Sequence, residues 1–127
     1  ERTEVGTYTL TLTDAGRADP LFSTLPQQFG VQMGHKDRAL VHPEGIESLA
    51  ASELVPLQAL RVPDKPIWAV QFHPELTCST NRDRFVHYLE GYAQHLTEEE
   101  RAVALSGFRE TPDGSDLLRR LLALVFD

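Results

Sequence analysis

The stretch Ile67-Trp68-Ala69-Val70-Gln71-Phe72-His73-Pro74-Glu75 decides how this chain is read. Its first six residues form a nearly unbroken apolar run behind the turn Pro63-Asp64-Lys65-Pro66, the pattern expected of a strand covered on both faces and central in a sheet. After Pro74 the period changes. Phe85, Leu89 and Tyr92 recur at helical spacing behind a Ser79/Thr80 start signal, with Asp83 in the first turn, and predict a helix to about Ala93. His73 and Glu75 therefore fall where a strand hands over to a helix. In an extended segment residues i and i+2 point to the same side, and the fixed φ of Pro74 would limit their relative motion.

Upstream, Val5 to Thr13 alternates β-branched or aromatic residues with small ones and ends at the turn signal Asp14-Ala15-Gly16, so a strand is expected. Pro20 to Pro26 reads as one helical turn or a loop. Phe29 to Val41 reads as a strand, a polar interruption at Gly34 to Arg38 and a second strand. Ile46 to Leu60 contains Pro56, which would cost about 3 kcal/mol inside a helix, so two short strands around a turn are favoured. Downstream, Thr97-Glu98-Glu99-Glu100 is a capping-box pattern opening a further helix. Thr111-Pro112 or Ser115-Asp116 opens the apolar closing segment DLLRRLLALVF, read as a helix docked on its own domain. Strands thus occupy about 5–72 and helices about 80–127. That is an α/β chain with a mixed sheet and C-terminal helices.

The length of 127 residues, 41% hydrophobic and 24% charged, suits one compact core. A formal net charge of −7 without any Lys/Arg run argues against binding a phosphate backbone, so no nucleic-acid partner is expected. No stretch approaches the roughly 18 consecutive apolar residues of a membrane span, and the first residues carry no signal core. A single cysteine, Cys78, excludes an intrachain disulfide and fits a reducing, cytoplasmic setting. The chain starts at Glu1 rather than Met, as expected if it was trimmed from something longer.

Taken alone, a His-x-Glu pair is more often incidental than catalytic. Here a rigid proline and an apolar strand leading into the pair favour chemistry, because a carboxylate beside an imidazole fixes its tautomer and stabilises the protonated ring. That is what a base serving a thiol or hydroxyl nucleophile needs. His73, Cys78, His87 and His95 match no common zinc spacing, so no metal is expected. The mixed-sign loop of His35, Lys36, Asp37 and Arg38 is usually just solvated.

Gln71-Phe72-His73-Pro74-Glu75 behind an apolar strand resembles the histidine-glutamate motif of class I glutamine amidotransferases. Glu4-Val5-Gly6 before a strand, Asp19-Pro20-Leu21-Phe22, Gly34-His35-Lys36-Asp37-Arg38, and Pro43-x-Gly45 ahead of Leu49-Ala50-x-Ser52 also resemble that family in order and spacing. The agreement runs from about Glu4 to Tyr92 and is most similar to stand-alone, GMP-synthase-like members. The resemblance implies a flavodoxin-like α/β domain without a cofactor. In it a cysteine attacks the side-chain amide of L-glutamine, forms a thioester and releases ammonia to an acceptor domain or subunit. His73 would be base and acid, Glu75 would orient it, and the backbone around Met33, Gly34 and His35 would help hold glutamine.

The family's nucleophile stands on a glycine-flanked elbow upstream of everything matched here, and this sequence has no such elbow. Cys78 follows the base in a loop on its wrong side and is read as a bystander. The chain is therefore expected to be the C-terminal portion of one such domain. It would be inactive alone, completed by a missing N-terminal half, and prone to self-association through uncovered sheet edges. Two alternatives stay open: a degenerate, non-catalytic binding or regulatory module of the same fold, and a related γ-glutamyl hydrolase.

Overall fold

The computed structural model describes residues 4–35, 37–88 and 96–126. Five strands, β1 Glu4–Leu12, β2 Gln28–His35, β3 Glu47–Ala51, β4 Ala59–Val62 and β5 Ile67–Val70, form one sheet in the order β2-β1-β3-β4-β5. Every pairing among them is antiparallel. β1 and β2 pair from Glu4↔His35 to Thr11↔Gln28, whereas β3 meets β1 only at Thr11 and Leu12. The alternation read in β1 is real: Leu10 and Leu12 point inward, while Thr9 and Thr11 face solvent.

The chain between β1 and β2 makes a short helix α1, Asp14–Ala18, and one 3-10 turn, Phe22–Thr24. The supposed turn at Asp14-Ala15-Gly16 is thus the start of α1, because the Thr13 hydroxyl accepts the Gly16 N–H at 3.0 Å and caps it. A Cβ at Gly16 would run into the carbonyl oxygen of Leu49, so only glycine lets α1 lie this close to β3.

Two expected strands are corrected. Residues 39–41 form none, and Leu40 and Val41 are 78% and 75% exposed. Three residues boxed in by polar neighbours offer too little apolar surface to order a strand. The run from Ile67 to Phe72 is not central, since β5 is last in the sheet order and Ile67 and Ala69 are exposed. An apolar run containing a small Ala69 does not distinguish one covered face from two. The chain then leaves the sheet: Gln71 N–H donates to Gln58 O at 2.9 Å, and Phe72 enters the core edge-on to Phe29, ring centres 6.3 Å apart.

Four described helices follow. α2, Cys78–His87, begins at Thr77, two residues before the expected signal, and Thr77 and Thr80 close a reciprocal capping box. Leu89 to Ala93, where the helix was expected to continue, lie outside the described residues, as do Lys36 and His95. α3, Glu98–Ser106, starts with the anticipated Thr97/Glu100 capping box. α4, Pro112–Ser115, and α5, Leu117–Phe126, take one each of the two proposed openings of the closing segment. No helix among the described residues is long and apolar enough to cross a membrane.

The core runs from Leu10, Leu12 and Phe22 through Phe29, Val31 and Met33 to Phe72 and Leu117. Two buried carboxylates sit within it, each fully partnered. Glu4 accepts from Gln58 at 2.6 Å, from His35 at 3.0 Å and from Ser52 at 3.0 Å. Asp19 accepts from the Leu21 and Phe22 backbone N–H groups, from the Trp68 indole and from Arg61, whose guanidinium stacks 4.7 Å from the Trp68 ring centre.

Gln32 is also buried, and both halves of its amide are saturated. Its oxygen accepts from Asn81 at 3.0 Å and Thr7 at 3.2 Å, and its nitrogen donates to Arg109 O at 2.9 Å and Thr111 Oγ1 at 3.0 Å. Gln32→Leu keeps the volume and leaves buried groups on several elements without partners. It should lower stability by about 3 kcal/mol. Urea unfolding checks this, the expected result being a lower midpoint at unchanged slope, and a loss below about 0.5 kcal/mol would contradict it.

Candidate functional site

His73 and Glu75 lie in the link between β5 and α2, and three local features hold them. The His73 N–H donates to Gln32 O at 2.9 Å, tying the link to the outer edge of β2. Leu76 N–H donates to His73 O at 3.2 Å, which closes a β-turn over His73 to Leu76. The capping box at Thr77 then starts α2 directly. The expected extended geometry across Pro74 is thus replaced by a turn with Pro74 in its second position, where the ring's fixed φ is already that of the turn. The turn brings the two side chains together all the same.

His73 Nδ1 and Glu75 Oε1 are 2.7 Å apart. On the other side of the ring, Arg84 Nη1 lies 3.3 Å from Nε2. A guanidinium only donates, so Nε2 must accept, and Nδ1–H then donates to the Glu75 carboxylate. Both contacts are met by a neutral ring of one tautomer. Partial burial resists ionisation of Glu75, but the bond from His73, its own backbone, the charge of the His73 ring when it is protonated and the charge of Arg84 outweigh it and hold the carboxyl below its usual value. Its contribution to this contact is therefore present above the ordinary carboxylate pKa and lost only as pH falls through the depressed one.

α2 is itself pinned to the strands. Asn81 and Phe85 are its buried positions, and Asn81 Nδ2 reaches Gln32 Oε1 at 3.0 Å and Met33 O at 3.2 Å. Arg84, one turn on, is thereby aimed at His73. Neither Asn81, Gln32 nor Arg84 stood out in the sequence. A polar residue at the inward-facing position four before Phe85 was the available signal for Asn81.

Of the three residues whose backbone was expected to hold substrate, Gly34 lies beside the base. A Cβ there would stand 3.8 Å from His73 Cδ2 and 3.2 Å from Arg84 Nη1. The Met33 side chain is buried in the core, and the His35 ring turns to Glu4 and to Asp37 O. His73 is 27% and Glu75 56% exposed, so the pair stands on an open face. Two hollows of about 460 and 440 Å³, one beside β1 and α3 and one between β5 and α5, include neither residue. Cys78 is the first residue of α2 and is half-buried. Among the described residues no cluster of His, Cys, Asp and Glu could hold a metal ion.

The same arrangement of strands and helices is found in solved structures. A glutamine amidotransferase from Thermotoga maritima overlays with a TM-score of 0.70 at 20% identity, covering 96% of this chain and 50% of that one. In sequence, a glutamine-hydrolyzing GMP synthase of Thermosipho melanesiensis is 48% identical over 90 residues, 71% of this chain and 17% of that protein. One subunit of the glutamine-hydrolyzing GMP synthase of Methanocaldococcus jannaschii is 39% identical over 75 residues, 59% of this chain and 40% of that protein. The chain spans less than half the length of these curated relatives. The family model "Glutamine amidotransferase class-I" matches residues 2–88, and this chain belongs to that family.

Proposed function

We propose that the chain is the C-terminal portion of a single glutamine amidotransferase domain, and that it supplies the base and the orienting carboxylate of a Cys-His-Glu site acting on L-glutamine. The observation that carries this is the 2.7 Å contact between His73 Nδ1 and Glu75 Oε1, which leaves the Nε2 lone pair as the ring's basic position. The thiol, and the backbone amides that would stabilise the oxyanion, come from polypeptide outside these 127 residues, so the chain by itself is inactive.

In the reaction, the S–H proton passes to Nε2 and the sulfur keeps the electron pair. The thiolate attacks the amide carbon, and the imidazolium returns the proton to the departing nitrogen, releasing ammonia and leaving a thioester. Water, deprotonated by the same ring, then gives glutamate and the free thiol. Glu75 stabilises the imidazolium at each step. Gly34, bare of a side chain and adjacent to the ring, supports a role for the backbone of Met33, Gly34 and His35 in holding glutamine. Several relatives are named as one subunit of a GMP synthase and others as the undivided enzyme, which supports an ammonia acceptor on a separate subunit or on a further domain.

The test uses the complete polypeptide that carries these residues, followed by ammonia release. His73→Ala should lower kcat by about 10³-fold or more, and Glu75→Gln by about 10²-fold with little change in KM. An unchanged rate in His73→Ala removes the base from the site. Absence of an upstream cysteine would make the protein a non-catalytic module, and faster turnover of γ-glutamyl peptides than of glutamine would change the substrate class.

The bare chain also exposes Leu118, Leu122, Val125 and Phe126 on α5 and Ile67 on β5. Apolar surface beside an open strand edge invites pairing with another chain. Sedimentation of the 127-residue chain at micromolar concentration should show dimers or larger species, and a monodisperse monomer would refute this.

A further inference from the structure

We infer that Arg84 is a further catalytic residue, placed to stabilise the thiolate that forms when the nucleophile gives its proton to His73 Nε2. This rests on the proposed Cys-His-Glu reading and names a residue that the His-x-Glu motif does not contain.

Four observations converge on it. The guanidinium lies 3.3 Å from Nε2, the one atom a thiol must approach, so a sulfur delivered there arrives beside a cation. Among the described residues Arg84 forms no ion pair, whereas Arg17, Arg61, Arg119 and Arg120 each hold a carboxylate. Its direct described partner is the uncharged Nε2 lone pair of His73. On the β2 side the neighbour is Gly34, where even a Cβ would come within 3.2 Å of Nη1, so any other residue would crowd the guanidinium. Finally, Arg84 stands in the last turn of α2, and its charge is felt at Glu75 across the ring.

The charges explain why such a residue is needed. Among the described residues, Glu75 from the turn and Arg84 from α2 are the charged groups facing His73, and β2 presents uncharged Gly34 beside the ring. Moving the S–H proton onto a neutral imidazole creates a thiolate and an imidazolium. The transfer leaves the net charge of the site unchanged but separates two charges, and Glu75 faces only the imidazolium, at Nδ1. Arg84, on the Nε2 side where the sulfur arrives, supplies the positive charge that the thiolate needs. An opposite charge within about 4–6 Å typically favours the ionised form by about one to three pH units. In the resting chain the same guanidinium donates to Nε2, and it yields that lone pair when the thiol arrives.

A basic residue in a last helical turn also eases the helix dipole, and this structural role would affect stability without touching the thiol. The two are separable. In the complete polypeptide, with Cys78→Ser removing background, the rate of nucleophile alkylation by iodoacetamide is measured against pH for unaltered, Arg84→Gln and Arg84→Lys proteins. The midpoint should rise by about one pH unit in Arg84→Gln, with kcat down about tenfold, and return most of the way in Arg84→Lys. An unchanged midpoint in folded Arg84→Gln overturns the proposal. So does a higher KM at unchanged kcat, which would make Arg84 an anchor for the substrate carboxylate. If the unaltered protein releases no ammonia and His73→Ala leaves the alkylation profile unchanged, the Cys-His-Glu reading fails and Arg84 loses its role with it. A shifted profile in Arg84→Gln beside an active unaltered protein upholds both.

Discussion

Gln32 is the junction on which both sides of the site depend. Its carbonyl accepts the main-chain N–H of His73, and its side chain takes Asn81 of α2, Thr7 of β1, and Arg109 and Thr111 ahead of α4. The strand carrying Gln32 therefore sets where the turn at His73 begins and where α2 lies. Base, orienting carboxylate and guanidinium thus belong to two elements registered to one buried amide. A buried amide with every donor and acceptor used tolerates few alternative placements, because each misplacement strands a polar group away from water. Register over a few ångströms is what a proton-transfer site requires.

Within that frame the His73–Glu75 pair is assembled from a single short stretch of chain. Pro74 presets the turn, Leu76 closes it, and Thr77 begins the helix that stops it unwinding. Such a site needs no distant segment to bring its base and orienter together. The distant contributions come through Gly34 and Arg84, and they act on the far side of the ring, at Nε2. The imidazole thus separates a locally built half from a half built by tertiary structure.

This division also accounts for what could be read in the sequence. The strand of β1, the capping box at Thr97 and the pairing of His73 with Glu75 follow from spacing over a few residues, where local rules are strong. Spacing over the same few residues suggested an extended link, and the chain chose a turn because Pro74 serves a β-turn as readily as a strand end. Arg84 and Gln32 were invisible for a different reason. Nothing in an arginine on a helix or a glutamine on a strand indicates burial or a partner 11 or 49 positions away. The central placement expected of β5 failed for want of the same long-range information: apolar content reports that a strand is covered, not which neighbours cover it.

The sheet order adds a last constraint. β5 ends the sheet, yet the residue three beyond it bonds to β2 at the opposite end, so the sheet must curl until its two edge strands are bridged by the His73 turn. A curled antiparallel sheet holds its edges together only if something spans them, and here the spanning element is the functional segment itself. Phe72 fills the space beneath the bridge against Phe29, which makes the approach of the two edges apolar as well as hydrogen-bonded. Closing the sheet and positioning the base are in this chain one structural event. That coupling gives a physical reason for a buried aromatic to stand directly before the histidine.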